Sequence, residues 1–90
     1  MSDHQQLLDQ IVGLIEASPH SAASLTLYAM VSTMDYEQAG CLFKLNKLRD
    51  LEPPERQLAY GLMELMVDGG NSGEAWVMAK SRMDELVRAG

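Results

Sequence analysis

The chain has 90 residues, of which 47% are hydrophobic and 22% are charged, with a formal net charge of −6 at pH 7. This composition is typical of one small globular domain, and its acidity argues against a surface that binds nucleic acid. The single cysteine, Cys41, excludes an internal disulfide and a thiolate zinc cage. Because no catalytic motif is present either, we expect a protein that is not an enzyme and holds no metal or cofactor.

Apolar residues recur with helical spacing along the whole chain, and no segment alternates as a strand does. The pattern predicts an all-α fold of about five helices in antiparallel hairpins. As a single domain over 1–90, the chain divides into an N-terminal helix in 1–20, a first hairpin in 21–52 and a second hairpin in 53–90.

Capping residues and prolines set the predicted helix boundaries. The first helix is expected to stop before Pro19. Helix starts are predicted after Ser21 as an N-cap, at a capping box of Asp35 with Gln38, at Pro53-Pro54, and at a capping box of Asn71 with Glu74.

Neither a signal peptide nor a membrane helix is expected. Residues 1–20 contain no Lys or Arg, and no apolar run approaches the roughly 18–20 residues that a membrane helix needs. We therefore expect a cytoplasmic protein. The first helix carries six large aliphatic residues within the nine positions 7–15, so a partner is expected to cover part of it.

The chain matches itself at an offset of 36 residues. In this register Met30-Val31 falls on Met66-Val67, Asp35 on Asn71, and Ala39 on Ala75. The segment 34–39, with Phe43 four residues after Ala39, resembles the inter-helix turn of a tetratricopeptide repeat. The pattern favours two helical repeats of this kind.

Residues 24–90 also resemble the tetratricopeptide-like chaperones of type III secretion needle subunits. The similarity is carried by the segment Leu27–Ala39 and by Leu45-Asn46-Lys47-Leu48. It implies a cytoplasmic bacterial chaperone for a virulence apparatus. A concave groove would hold the amphipathic carboxy-terminal helix of the needle subunit and prevent its premature polymerisation, and a second small helical co-chaperone would pack on the amino-terminal side.

The repeat register predicts six partner-binding residues on the groove side of two helices: Tyr28, Val31, Ser32, Tyr60, Glu64 and Val67. Each tyrosine could instead be a partly buried core residue, and Phe43 and Trp76 are expected in the core. His4 and His20 are expected to be solvated. Two alternative functions stay open: a helical homodimer with a structural or antitoxin-like role, and a small helix-turn-helix transcription regulator.

Overall fold

A computed structural model describes residues 3–35 and 45–89. It contains α1 (Asp3–Ala17), α2 (Ala22–Asp35), a short 3₁₀ helix (Leu45–Asp50), α3 (Pro53–Val67) and α4 (Glu74–Ala89). The all-α prediction is confirmed, with four α-helices and no strand in the described ranges against about five expected helices. Most of the expected third helix, including Gln38, Ala39, Cys41 and Phe43, lies outside the described residues.

Two of the predicted helix starts are confirmed by local hydrogen bonds. The hydroxyl of Ser21 accepts the backbone N–H of Ser24 at 3.1 Å, which satisfies a free donor in the first turn of α2. Helix α3 begins at Pro53, where a missing N–H costs nothing. The N–H of Glu52 just before it donates to the carboxylate of Glu55 at 2.7 Å.

The predicted capping box of Asn71 with Glu74 is wrong. Helix α4 begins at Glu74, directly after Gly73, whose φ is +92°. Three residues before that start, Asn71 donates its side-chain amide to the carbonyl of Met34 at 3.0 Å. It therefore satisfies a free carbonyl in the last turn of α2.

Helix α3 ends in a Schellman motif, in which a glycine takes the left-handed conformation. Gly69 has φ +78°, and its N–H donates to the carbonyl of Met66 at 3.0 Å. The N–H of Gly70 reaches back to the carbonyl of Leu65 at 2.8 Å. These bonds satisfy two carbonyls at the helix end.

Replacing Gly69 with alanine should lower the free energy of unfolding by about 1–2 kcal/mol, the cost of a left-handed L-residue. The added Cβ meets no neighbouring atom within 4 Å, so the conformation alone sets the cost. Urea unfolding followed by circular dichroism measures it. Gly13→Ala is the control, because Gly13 lies in the middle of α1 in open space and alanine should stabilise that helix. Equal changes in unfolding free energy for Gly69→Ala and Gly13→Ala would contradict the left-handed conformation of Gly69.

The most extensive helix contact joins the first and the last helix of the fold. Helix α1 contacts α4 most extensively and also packs against α3 and α2, whereas the consecutive helices α3 and α4 share little contact. Helix α4 therefore has its most extensive contact with α1 and not with α3. The apolar stripe of α1 lies in the core through Leu8, Ile11 and Ile15, whereas Leu7, Val12 and Leu14 are only partly buried by the chain's own helices.

Residues that match each other at the 36-residue offset do not lie in equivalent environments in the fold. Val31 is completely buried, whereas Val67, its counterpart in the repeat register, is 76% exposed. Met30 is likewise buried and Met66 exposed. A similar residue order thus arises in two helices that bury different faces.

Side chains from two loops tie distant helix ends together. In the α1–α2 loop, His20 Nε2 donates to the carbonyl of Val87 in the last turn of α4 at 2.9 Å. The indole N–H of Trp76 near the start of α4 donates to the carboxylate of Asp35 at the end of α2 at 2.8 Å. Together with the bond from Asn71 to Met34, these contacts fix α4 against α2 and position the surfaces described next.

Candidate partner-binding surfaces

The three predicted residues of α3 lie on one exposed side of the helix. Tyr60, Glu64 and Val67 are spaced at i, i+4 and i+7, which places them in a single stripe that we call the α3 face. Tyr60 is 45% exposed and Val67 is 76% exposed. The opposite side of α3 is buried in the core through Ala59, Leu62 and Leu65.

The three predicted residues of α2 do not form a matching surface. Val31 belongs to the core and is unavailable to a partner, and Ser32 is half-buried. Tyr28 is turned toward α4, where its hydroxyl donates to the carboxylate of Asp84. The expected groove between the two sets of residues is therefore not assembled.

The physical reason is that α2 buries a wide arc of its circumference. It packs against α1, α3, α4 and the 3₁₀ helix, so most of its apolar residues are covered within the chain, with Leu25 as an exposed exception. Its buried residues are Ala23, Ser24, Thr26, Leu27, Met30, Val31 and Met34.

Tyr28 takes part in a charged cluster between α2 and α4. Lys80 Nζ donates to Asp84 at 2.8 Å and lies 5.3 Å from the centre of the Tyr28 ring. Burial and the hydrogen bond to Asp84 raise the pKa of Tyr28. Burial opposes the charge on Asp84, but hydrogen bonds from Lys80 and Tyr28 outweigh it and lower the pKa of that carboxyl. The cluster is thus a structural clamp in which each polar group has a partner.

A second surface, which the sequence does not predict, lies between α1 and α4. It is a groove of about 380 Å³, and we call it the α1–α4 groove. Arg82 on its edge donates to Glu16 across the groove at 3.0 Å and to Glu85 along α4 at 3.3 Å. The lining residues are Gln5, Asp9, Val12, Gly13, Glu16, Ala75, Met78, Ala79 and Arg82.

Contrary to expectation, both histidines are hydrogen-bonded, although His20 is exposed and His4 is only half-buried. His4 Nε2 lies 3.2 Å from the carboxylate of Asp68 at the end of α3, and His20 contacts the carbonyl of Val87. Both link segments more than 60 residues apart, a relation that spacing in the sequence does not reveal. Across residues 3–35 and 45–89, no three His, Cys, Asp or Glu side chains come close enough to hold a metal ion.

Comparison with known proteins identifies no relative. No family model, curated protein or solved structure matches the chain. Within the part of the chain that the structure describes, no helix has the length and apolar character needed to cross a bilayer.

Proposed function

We propose that this protein is a non-enzymatic chaperone or adaptor that binds an amphipathic helix of another protein on the α3 face. By occupying the assembly surface of that helix, it would keep an aggregation-prone subunit from polymerising prematurely. The observation that supports this proposal best is that Tyr60, Glu64 and Val67 follow one another along a single stripe of α3 and are all exposed.

The chemistry of the α3 face suits an amphipathic helix. Covering an exposed valine side chain contributes roughly 1.5–3 kcal/mol, and a tyrosine adds a large apolar ring with a hydrogen-bonding tip. Glu64 between them can pair with a Lys or Arg at the edge of the partner's apolar stripe. Helix-in-groove recognition uses the same i, i+4, i+7 spacing of anchors.

The resemblance to needle-subunit chaperones indicates which client to test first. It is a small helical subunit of a bacterial type III secretion needle, bound in the cytoplasm, with a second small helical co-chaperone as a further partner. A concave groove between α2 and α3 is not part of the proposal, because Val31 is buried and Tyr28 bonds to α4.

The proposal is tested by purifying the tagged protein from its native host and quantifying its stoichiometric companions by mass spectrometry. We expect one small helical client with the wild-type chain. Val67→Asp and Tyr60→Asp should each lower its recovery at least tenfold, because an aspartate would be desolvated in the interface. Val77→Asp is a matched control, since Val77 is a comparably exposed valine on α4.

The outcomes separate the alternatives. Wild-type recovery of the client with Val67→Asp would reject the α3 face, provided that circular dichroism shows intact helicity. A clean single species whose melting temperature rises with its own concentration would favour the homodimer instead.

A further inference from the structure

We propose that the α1–α4 groove is a second docking surface, and that its occupant is a helix of another protein that carries a large aliphatic side chain with Lys or Arg one turn away. The groove lies between α1 and α4, and α4 shares little contact with α3. This inference therefore goes beyond the proposed function of the α3 face and stands or falls separately from it.

Part of the groove lining is apolar and accessible. Met78 is 65% exposed although it lies directly beside the buried Ala79, and Val12 is only partly buried. At Gly13 a Cβ would meet no atom within 4 Å. The space is sufficient for one large aliphatic side chain, and the lack of a side chain at Gly13 lets the backbone of a partner approach α1 closely.

The unusual position of Gly13 adds to this argument. It lies in the middle of α1, where glycine is among the least favourable residues for a helix. At Gly61 a Cβ would come within 2.9 Å of Leu7, so that glycine has a packing reason inside the chain. No packing contact within the described residues explains the glycine at position 13, and we therefore infer that it contacts another molecule.

Charge determines the chemistry of the occupant. Residues 1–43 contain no Lys or Arg, so the α1 side of the groove carries Asp9 and Glu16 without any basic residue on its own helix. The facing cation, Arg82, is shared between Glu16 and Glu85. Asp9 accepts a hydrogen bond from the neutral amide of Gln5 at 2.9 Å. Arg82 thus balances only one of the three carboxylates of Asp9, Glu16 and Glu85, and the excess negative charge complements a helix with Lys or Arg beside its apolar residue.

The experiment uses a phage-displayed library of single helices with one randomised face, selected against the full-length protein. Enriched helices should share a Leu, Ile or Met with a Lys or Arg three or four positions away. One enriched helix is then synthesised with a fluorophore, and its dissociation constant is measured by fluorescence anisotropy against a set of variants.

We expect Gly13→Leu to weaken binding at least tenfold by filling the groove, and Gly13→Ala to weaken it by a smaller factor, because its methyl group takes up only part of the space that a closely approaching backbone needs. Asp9→Lys and Met78→Lys lie at exposed positions where folding is not at risk, and each should weaken binding several-fold. Val67→Asp should leave the dissociation constant unchanged, so this test is independent of the α3 face.

Four results would overturn the proposal: selection of no helix, selection without enrichment of Lys or Arg, an unchanged dissociation constant in both lysine variants, or self-association of the free chain that Gly13→Leu abolishes. The last result would assign the groove to a second copy of this chain. If Gly13→Leu fails to fold, the dissociation constants of Asp9→Lys and Met78→Lys test the proposal without it.

Discussion

Replacing Trp76 with alanine is expected to lower the free energy of unfolding by about 3–5 kcal/mol, the largest effect of any single change considered for this chain. The indole is 2% exposed, and its N–H donates to Asp35 at 2.8 Å. Truncation therefore opens a cavity between α4 and α2 and removes a hydrogen bond. Because small domains unfold with only about 5–15 kcal/mol, this variant should lie close to the limit of folding.

Urea unfolding at pH 7 measures the loss, with Trp76→Phe as the control. Phenylalanine keeps most of the apolar volume and removes the N–H that bonds to Asp35. Because Asp35 is exposed, water can replace that hydrogen bond. The lost hydrogen bond should therefore cost about 0.5–1.5 kcal/mol. A Trp76→Ala variant as stable as Trp76→Phe would mean that the indole does not fill the core as described.

Replacing Asp84 with alanine is expected to lower the free energy of unfolding by about 2–3 kcal/mol, the second large effect. The carboxylate accepts hydrogen bonds from Tyr28 on α2 and from Lys80, whose side chain is only 14% exposed. Without Asp84, a largely covered ammonium and a hydroxyl both lose their acceptor. Glu85→Ala is the control: it removes an exposed ion pair with Arg82 and should change little.

The contribution of Asp84 should depend on pH. Its pKa is lower in the folded chain than in the unfolded chain, so its stabilising effect is complete above the unfolded value of about 4 and is lost as the pH falls through the folded value. The difference in unfolding free energy between the wild type and Asp84→Ala should therefore narrow from pH 7 to pH 3. A difference that widens over this range would contradict the charged clamp.

The opposite end of the pH range involves Tyr28. Its pKa is raised in the folded chain, so its contribution is complete below about pH 10, the unfolded value, and is lost as the pH rises through the folded value. The hydrogen bond from Tyr28 to Asp84 thus stabilises the fold at every pH between the titration of Asp84 and the titration of Tyr28.

The sequence predicts the local elements well because their causes are local. The apolar stripe of α1, the cap at Ser21 and the start at Pro53 each depend on residues within one or two turns. The α3 face is predicted for the same reason, since the spacing of Tyr60, Glu64 and Val67 alone places them together.

The sequence does not reveal which helices touch. Periodicity identifies the buried face of a helix but not the element that covers it, so the pairing of α1 with α4 and the α1–α4 groove are not predictable from it. Val31 is misassigned because the repeat register treats α2 as equivalent to α3. In the structure α2 has neighbours on most sides, whereas α3 leaves one side open.

The central claim is that the α3 face holds a partner helix, and the most direct test is the dissociation constant of the co-purified client for three chains. Titration calorimetry should give similar values for the wild type and Val77→Asp, and a value at least ten times larger for Val67→Asp. Equal values for Val67→Asp and the wild type, or an equal loss with Val77→Asp, would contradict the claim.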